Sequence, residues 1–345
     1  MHARIALAAA ACLVAGCRSC QPPPGPGDAV DDRRLSIPGD ETAGFLEHRR
    51  PQYAAARVKA RKWLDDLEVD PSLLRSHGIK GKKKLVELLD AYVWLMRDPL
   101  GEDTRALMAR AEEVIQPTRE AAYHDMAAVD DRQFKQDATS YMRAAYLMDR
   151  LGMDTGQYVE QMRKVLPRFD EHMPTRGPAQ QMIFHTYYSH FGFPEPFPLD
   201  RAFEKGRIAA RADPHTLERM PIYHLTHEIF MPFRYGEVRE TDFFDEDDEA
   251  YLTGALPVLV KRRIAARDPD LVAELVLCLE YLDMEDDPTY AEGIAFLLDS
   301  QNADGSWGDY PEADRRHGPY ARHHIYLHTT KLALSALINA FRCPG

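Results

Sequence analysis

The sequence predicts an all-α protein, and three observations support this fold class. Apolar residues recur three and four positions apart through most of the chain after residue 43, which places them on one face of a helix. Prolines and glycines separate these periodic segments, at positions where they begin or end helices. No segment alternates apolar and β-branched residues in the way that a strand does.

The first element is an export signal. Arg4 precedes a short apolar run, residues 5–15, that is too short to cross a bilayer as a mature helix. The small residues Ala15 and Gly16 directly before Cys17 resemble the bacterial lipobox. The resemblance implies cleavage before Cys17 and acylation of that residue, for example with palmitate. Residues 1–16 are then a lipoprotein signal peptide; the alternative is an ordinary cleaved signal with an incidental cysteine.

A lipid anchor would place the protein in the bacterial cell envelope. Two acyl chains hold a chain firmly in a membrane, so we expect it in the outer membrane or on the periplasmic face of the inner membrane. Residues 17–43 are rich in proline and glycine, which predicts a disordered tether. The remaining part of about 300 residues is enough for one large domain or two small ones. We divide it into an N-terminal helical part, 44–177, and a C-terminal part, 178–345, that holds most of the histidines.

About twelve helices follow, joined by short loops, which is typical of helical hairpins packed side by side. Pro51 is predicted at the start of the first helix, and Gly152 and Gly177 at C-terminal stops. No sequence repeat of fixed period is visible, so a regular solenoid is not supported. The predicted helices span residues 52–69, 82–97, 104–115, 118–128, 132–151, 155–169, 199–212, 222–235, 247–266, 269–284, 288–300 and 322–341.

The charge of the chain argues against a nucleic-acid partner. The formal net charge is −12, whereas phosphate neutralisation requires a basic face. The densest basic run is Lys80 with residues 82–84, and we interpret it as a solvated approach to the next helix. After the signal and the lipidated cysteine, Cys20, Cys278 and Cys343 remain, an odd number that provides no disulfide framework.

The loop at residues 301–308, Q-N-A-D-G-S-W-G, is the most specific internal motif. Asp304 and Gly305 form a tight turn, and Trp307 is expected to fold back over the preceding helix. The loop resembles the helix-connecting repeat of the terpene cyclase and protein prenyltransferase superfamily. The resemblance implies an α/α toroid, complete or incomplete, in which helical hairpins surround a central cavity and this loop is structural. A simple Gly-Trp turn is the alternative.

The histidines are the second signal, because they stand in pairs at helical spacing. His224 and His227 are three residues apart, and His324 and His328 are four apart. Cys278 is the thiol inside an apolar helix. From these residue types we predict a zinc site formed by His227, Cys278 and His328, with an open position for water or ligand. The alternative is a core cysteine with hydrogen-bonded histidines.

The prenyltransferase resemblance extends to this site. Residues 326–330, Y-L-H-T-T, look like the family's tyrosine-histidine-threonine segment that supplies one zinc ligand. Glu274 and Cys278 would stand for the acid and the cysteine, although the family spaces these two more closely. The other residues predicted to line the cavity are His224, Glu228, His324, Trp307 and Tyr326.

An acidic run, residues 245–248, offers a third candidate. It resembles the aspartate motif that protonates an alkene in class II terpene cyclases. Its position at a helix entry also fits simple capping of free N–H groups, and both interpretations stay open at this point.

The sequence leaves two functions open. In the first, the cavity binds a small ligand or a zinc ion, and the presence of an enzymatic reaction is undecided. In the second, the helices form a non-catalytic scaffold for protein partners at the cell surface. The sequence contains no phosphate loop, dinucleotide fingerprint, H-E-x-x-H or G-x-S-x-G motif.

Overall fold

In the computed structural model, the described residues are 39–68, 81–98, 100–101, 103–195, 197–238 and 241–342. All the regular secondary structure of this part of the chain is helical and none is strand, so the predicted all-α class is correct. The predicted signal peptide, Cys17 and most of the predicted tether lie outside the described residues. None of the described helices is long and apolar enough to cross a membrane.

Thirteen α-helices are present in the described residues, together with short 3₁₀ segments and one π-helical turn at Arg322–Tyr326. The α-helices are α1 (Asp40–Asp65), α2 (Gly81–Leu95), α3 (Thr104–Ile115), α4 (Asp131–Arg150), α5 (Gly156–His172), α6 (Pro178–Phe191), α7 (Leu199–Phe203), α8 (Arg219–Phe230), α9 (Glu246–Ala265), α10 (Pro269–Tyr281), α11 (Pro288–Asp299), α12 (Pro311–His317) and α13 (Leu327–Ala340).

Most predicted helices are present, although several differ from the prediction in their bounds. Pro51 lies inside α1 rather than at its start, so the first helix begins earlier than predicted. Residues 118–128 are not a helix, because a 3₁₀ segment at Gln116–Arg119 gives way to turns. The helix predicted over 199–212 ends at Phe203. Gly152 has a positive φ just after α4, as expected for the predicted C-terminal stop of that helix. Gly177, also predicted to end a helix, is instead the N-cap residue of α6.

The acidic run is a helix cap. Asp245 is the N-cap residue of α9, and its side chain accepts a hydrogen bond from the Asp248 N–H at 2.8 Å. The Asp248 side chain accepts in return from the Asp245 N–H, which completes a capping box. Of the two interpretations of residues 245–248, helix capping therefore describes what these side chains do.

Six helices contact one another in a closed cycle. We call α2, α4, α6, α8, α10 and α13 the cycle helices, because each packs against the next and α13 packs against α2. Among the other helices, α3 contacts α2, α5 contacts α4, α9 contacts α10 and α11, and α1 contacts α11 and α13. One hydrophobic core runs from Leu46 to Phe341 and so includes both of the parts distinguished in the sequence.

The loop at 301–308 attaches α1 to the last helices. The Gln301 amide donates to the Ala56 carbonyl at 2.8 Å, and a Cβ at Gly305 would meet the Lys59 carbonyl oxygen. Trp307 is fully buried, and its indole N–H donates to the Leu297 carbonyl of α11 at 2.7 Å. The ring therefore folds back on the preceding helix, as predicted.

Candidate functional site

The helix α2 contains several buried charged side chains. Lys82 and Lys84 are 3% and 4% exposed, and Glu87 and Asp90 are also buried. The interpretation of residues 82–84 as a solvated approach is therefore wrong, because these lysines belong to the first turn of α2, and Lys82 and Lys84 point into the protein. Burying a charge is costly unless the charge is paired. The partners of Lys84, Glu87 and Asp90 lie together in one place.

Glu87 is the first carboxylate at this site, and three donors share it. It lies 2.7 Å from Lys84 Nζ, 3.3 Å from Lys83 Nζ and 2.6 Å from Nδ1 of His328 on α13. Burial alone would raise the pKa of Glu87, but Lys83, Lys84 and His328 hold it well below its usual range. Glu87 is therefore ionised inside the cycle helices.

Asp90 is the second carboxylate, one turn further along α2. It accepts a hydrogen bond from Arg143 of α4 at 2.6 Å, and Lys331 of α13 lies 3.4 Å away. The Arg143 guanidinium lies over the ring of Tyr235 at 4.3 Å. Arg234, Tyr235 and Gly236 all have positive φ, an unusual backbone for the first two, which places this aromatic ring on the guanidinium.

Asp270 is the third carboxylate, in the first turn of α10. It pairs with Arg219 of α8 and accepts from Thr329 at 3.2 Å. One of its oxygens also lies 3.6 Å from Nε2 of His328. The His328 ring is thus held between Glu87 and Asp270. Burial lowers the pKa of His328 against the opposing attraction of both carboxylates.

Glu274, one turn after Asp270, is the protonated member of the site. It is fully buried and accepts from the Thr226 hydroxyl at 2.5 Å. Burial, followed by the nearby charge of Asp270, raises the pKa of Glu274 to about 8. Among the described residues, its second oxygen, Oε1, has no hydrogen-bond partner.

His227 is buried and neutral. Its Nδ1 lies 2.8 Å from the Tyr223 carbonyl oxygen, one helical turn earlier, and 3.9 Å from Glu274. The His227 and Tyr223 rings have centroids 4.0 Å apart. Burial, assisted by the positive charges of Lys331 and Lys83, lowers the pKa of His227 to about 3.

These side chains form one group, which we call the interior ionic cluster. Its members come from α2, α4, α8, α10 and α13, five of the six cycle helices. They are Lys83, Lys84, Glu87, Asp90, Arg143, Tyr223, His227, Asp270, Glu274, His328 and Lys331.

The structure places the three predicted zinc ligands near this cluster but gives each another partner. His227 and His328 are members of it, whereas the Cys278 thiol lies one turn beyond Glu274 and 3.9 Å from the Thr226 carbonyl oxygen. Burial and the charge of Glu274 raise the pKa of the Cys278 thiol, which opposes the thiolate that zinc requires. Within the described residues, no three His, Cys, Asp or Glu side chains are grouped as a metal site. Zinc binding by these three residues stays a prediction.

The other predicted cavity residues lie in different places. Glu228 accepts from the Arg207 and Ile208 N–H groups and so holds a loop after α7. Burial and the charge of Arg207 lower the pKa of His224. Tyr326 donates to Asp314 at 3.0 Å, in the segment before α13. The side chain of His324 lies outside the described residues.

Sequence reasoning missed the charged residues of α2 and α13. Lys83, Glu87 and Asp90 recur at spacings of four and three, which puts them on one face of α2. The signal that could have found them is the composition of α2, whose positions after Lys84 are apolar apart from Glu87 and Asp90. A helix that is apolar on all its other faces is buried, so its charged residues are expected to be buried with it.

Comparison with known proteins shows the family to which the chain belongs. Residues 53–336 match the family described as a domain of unknown function, DUF6895. The chain belongs to the DUF6895 family. No curated protein and no solved structure gives a significant match to it. The matched DUF6895 span contains every member of the interior ionic cluster and the loop at 301–308.

The chemistry available in this DUF6895 domain follows from the protonation states. A neutral His328 that donates its Nδ1–H to Glu87 has a free lone pair on Nε2, which is a proton acceptor. Glu274 carries a proton at neutral pH. The cluster therefore holds a proton acceptor on α13 and a proton donor on α10, a pairing found where general acid–base chemistry or polar ligand binding occurs.

Proposed function

We propose that the protein is a lipid-anchored envelope protein whose interior ionic cluster binds a small polar ligand. The observation that carries this proposal is the interior ionic cluster itself, whose members come from five helices distant in sequence. Buried ion pairs seldom stabilise a fold more than apolar residues of the same volume would. Neighbouring groups whose pKa values are shifted in opposite directions, such as Glu274 upward and His227 downward, are typical of functional sites.

We also propose that the cycle helices form the inner layer of an α/α toroid. The closed cycle of contacts supports this arrangement, as does the packing of α3, α5 and α9 each against a cycle helix. In such a fold the inner helices converge on a central cavity, where ligands usually bind. The likeness of loop 301–308 to the terpene cyclase and protein prenyltransferase superfamily is further support. An experimental structure in which α13 does not pack against α2 would refute the toroid.

Ligand binding is tested by thermal shift on the mature chain in detergent. The panel contains sugars, amino acids, organic acids, phosphate esters and zinc chloride, and a true ligand raises the melting temperature because it binds the folded state. His328→Gln should abolish the shift, whereas His48→Gln, at an exposed position of α1, should keep it. A shift that His328→Gln leaves unchanged would place binding elsewhere. If nothing on the panel binds, the non-catalytic scaffold becomes the better explanation.

Zinc binding is tested by a separate measurement. Elemental analysis of the purified chain should find about one zinc per chain if His227, Cys278 and His328 bind it in a single site. Zinc that Cys278→Ser does not reduce would contradict this ligand set.

The lipid anchor is tested at Cys17. The full chain should partition into the detergent phase and the Cys17→Ala variant into the aqueous phase, because only the acyl chains confer membrane affinity. Equal partitioning of the two proteins would contradict the anchor and, with it, the envelope localisation.

A further inference from the structure

The two lysines of the interior ionic cluster at positions 83 of α2 and 331 of α13 have spare hydrogen-bonding capacity. Lys83 Nζ lies 3.3 Å from Glu87, and Lys331 Nζ lies 3.4 Å from Asp90. Charge-assisted hydrogen bonds between an ammonium and a carboxylate are about 2.7–2.9 Å long, and each ammonium has three donors. Both groups are therefore weakly coordinated by the protein.

The carboxylates near these lysines are already occupied. Glu87 has closer contacts with Lys84 and His328, and Asp90 has a closer contact with Arg143. Asp270 is paired with Arg219. Thus two carboxylates are shared by four cations: Glu87 by Lys83 and Lys84, and Asp90 by Arg143 and Lys331. The cluster carries excess positive charge inside a chain whose net charge is −12.

The two ammonium groups act electrostatically on the same part of the cluster, around His227. Lys83 interacts electrostatically with Glu87 of its own helix most strongly, and also with Tyr223 of α8 and Asp270 of α10. The charges of Lys83 and Lys331 both act on His227. The Lys83 side chain is 37% exposed, so this member of the cluster is partly open to solvent.

A buried or half-buried cation that shares its carboxylate with a second cation is incompletely neutralised, and an anion from outside would relieve this. Close to the lysines, Nε2 of His328 and the nearest Asp270 oxygen are 3.6 Å apart and both can accept hydrogen bonds. These two acceptors suit a ligand hydroxyl group.

From this juxtaposition we propose that the ligand is a small hydroxylated anion, a carboxylate or a phosphate ester, whose charged group is bound by Lys83 and Lys331. The inference rests on the proposed function and specifies its ligand class. The two lysines supply the attraction for the charge, and Asp270 and His328 receive the hydroxyl group.

The test is isothermal titration of the mature chain at constant ionic strength with four probes. Gluconate and glucose 6-phosphate carry a charge and hydroxyl groups, glucose carries hydroxyl groups only, and inorganic phosphate carries charge only. We expect gluconate or glucose 6-phosphate to bind more tightly than glucose, and the better of the two identifies a carboxylate or a phosphate ester. Lys83→Met and Lys331→Met should each weaken binding about tenfold or more, the loss expected for one charged hydrogen bond.

Three controls make the result decisive. Lys83→Arg keeps the charge and should retain most binding, and Lys164→Met removes an exposed lysine of α5 and should change nothing. Circular dichroism checks that each variant is folded. Binding of glucose as tight as that of the anions would overturn the anionic ligand while leaving the proposed function in place. If no probe binds, or if both lysine variants bind like the wild type, the inference is also overturned.

Discussion

His328 Nδ1 lies 2.6 Å from Glu87 Oε1, and this contact joins the last long helix to the second. The two residues are 241 positions apart in sequence. Their helices, α13 and α2, are the pair that completes the cycle of contacts. The contact therefore links the two helices that close the cycle. It also lies at the centre of the interior ionic cluster, since Lys83 and Lys84 contact the same carboxylate.

Removal of the Glu87 charge should strongly destabilise the protein. Glu87→Gln leaves the buried Lys84 and its neighbour Lys83 without their carboxylate, and breaking a buried pair in this way costs about 3–5 kcal/mol. Urea unfolding monitored by circular dichroism measures the change. Glu160→Gln, which removes an exposed carboxylate of α5, should leave the free energy of unfolding nearly unchanged. Equal stability of the two variants would contradict the central role of Glu87.

Local features of the fold could be predicted from the sequence. The capping box at Asp245 and the positive φ of Gly152 depend on residues within one turn, so the pattern contains the information. The failures have non-local reasons. Pro51 has no amide hydrogen to donate, yet α1 continues through it and packs against α11 and α13. Tertiary packing of this kind cannot be read from a short window.

The site was predictable only in part. Histidines are rare enough to attract notice, and His227 and His328 do lie in the cluster. The partners of His328, Glu87 and Asp270, could not be identified, because the pairing depends on how distant helices pack. Glu228 shows the reverse case: it follows His227 directly in sequence, but it faces the loop of Arg207 and Ile208 instead.

Gly305 should not tolerate a side chain. Its φ is +99°, and a Cβ would lie 2.3 Å from the Lys59 carbonyl oxygen of α1. Gly305→Ala should therefore displace α1 and lower the melting temperature. Gly254→Ala is the matched control, because a Cβ added to this helical glycine of α9 would meet no neighbouring atom within 4 Å. That variant should be neutral or more stable by about 0.5–1 kcal/mol. Similar effects of the two substitutions would contradict the close approach.

Trp307 should contribute to stability through both its volume and its indole N–H. Trp307→Ala removes a fully buried ring, and such changes cost about 3–5 kcal/mol. Trp307→Phe keeps most of the apolar contact but leaves the Leu297 carbonyl without its donor, so its cost should be smaller. Denaturant unfolding of both variants measures the order, and an Ala variant as stable as the Phe variant would refute the packing role.

The stability of the protein should fall as the pH rises through the range in which Glu274 titrates. The pKa of Glu274 is about 8 in the folded state and 4.5 as the reference for the unfolded chain. Between these values the folded state keeps a proton that the unfolded state has lost, so raising the pH favours unfolding. Glu274→Gln stays neutral at every pH and can still accept the hydrogen bond from Thr226.

The measurement is the free energy of unfolding of the wild type and of Glu274→Gln at several pH values from 4 to 9. Other titrating groups act alike in both proteins, so the difference between the two curves isolates Glu274. We expect the variant to gain stability relative to the wild type from about pH 4.5 upward, and the gain to level off above about pH 8. Glu160→Gln should give a difference curve without this rise. A flat difference curve for Glu274→Gln would show that Glu274 titrates normally, and the cluster would then lack its proton donor.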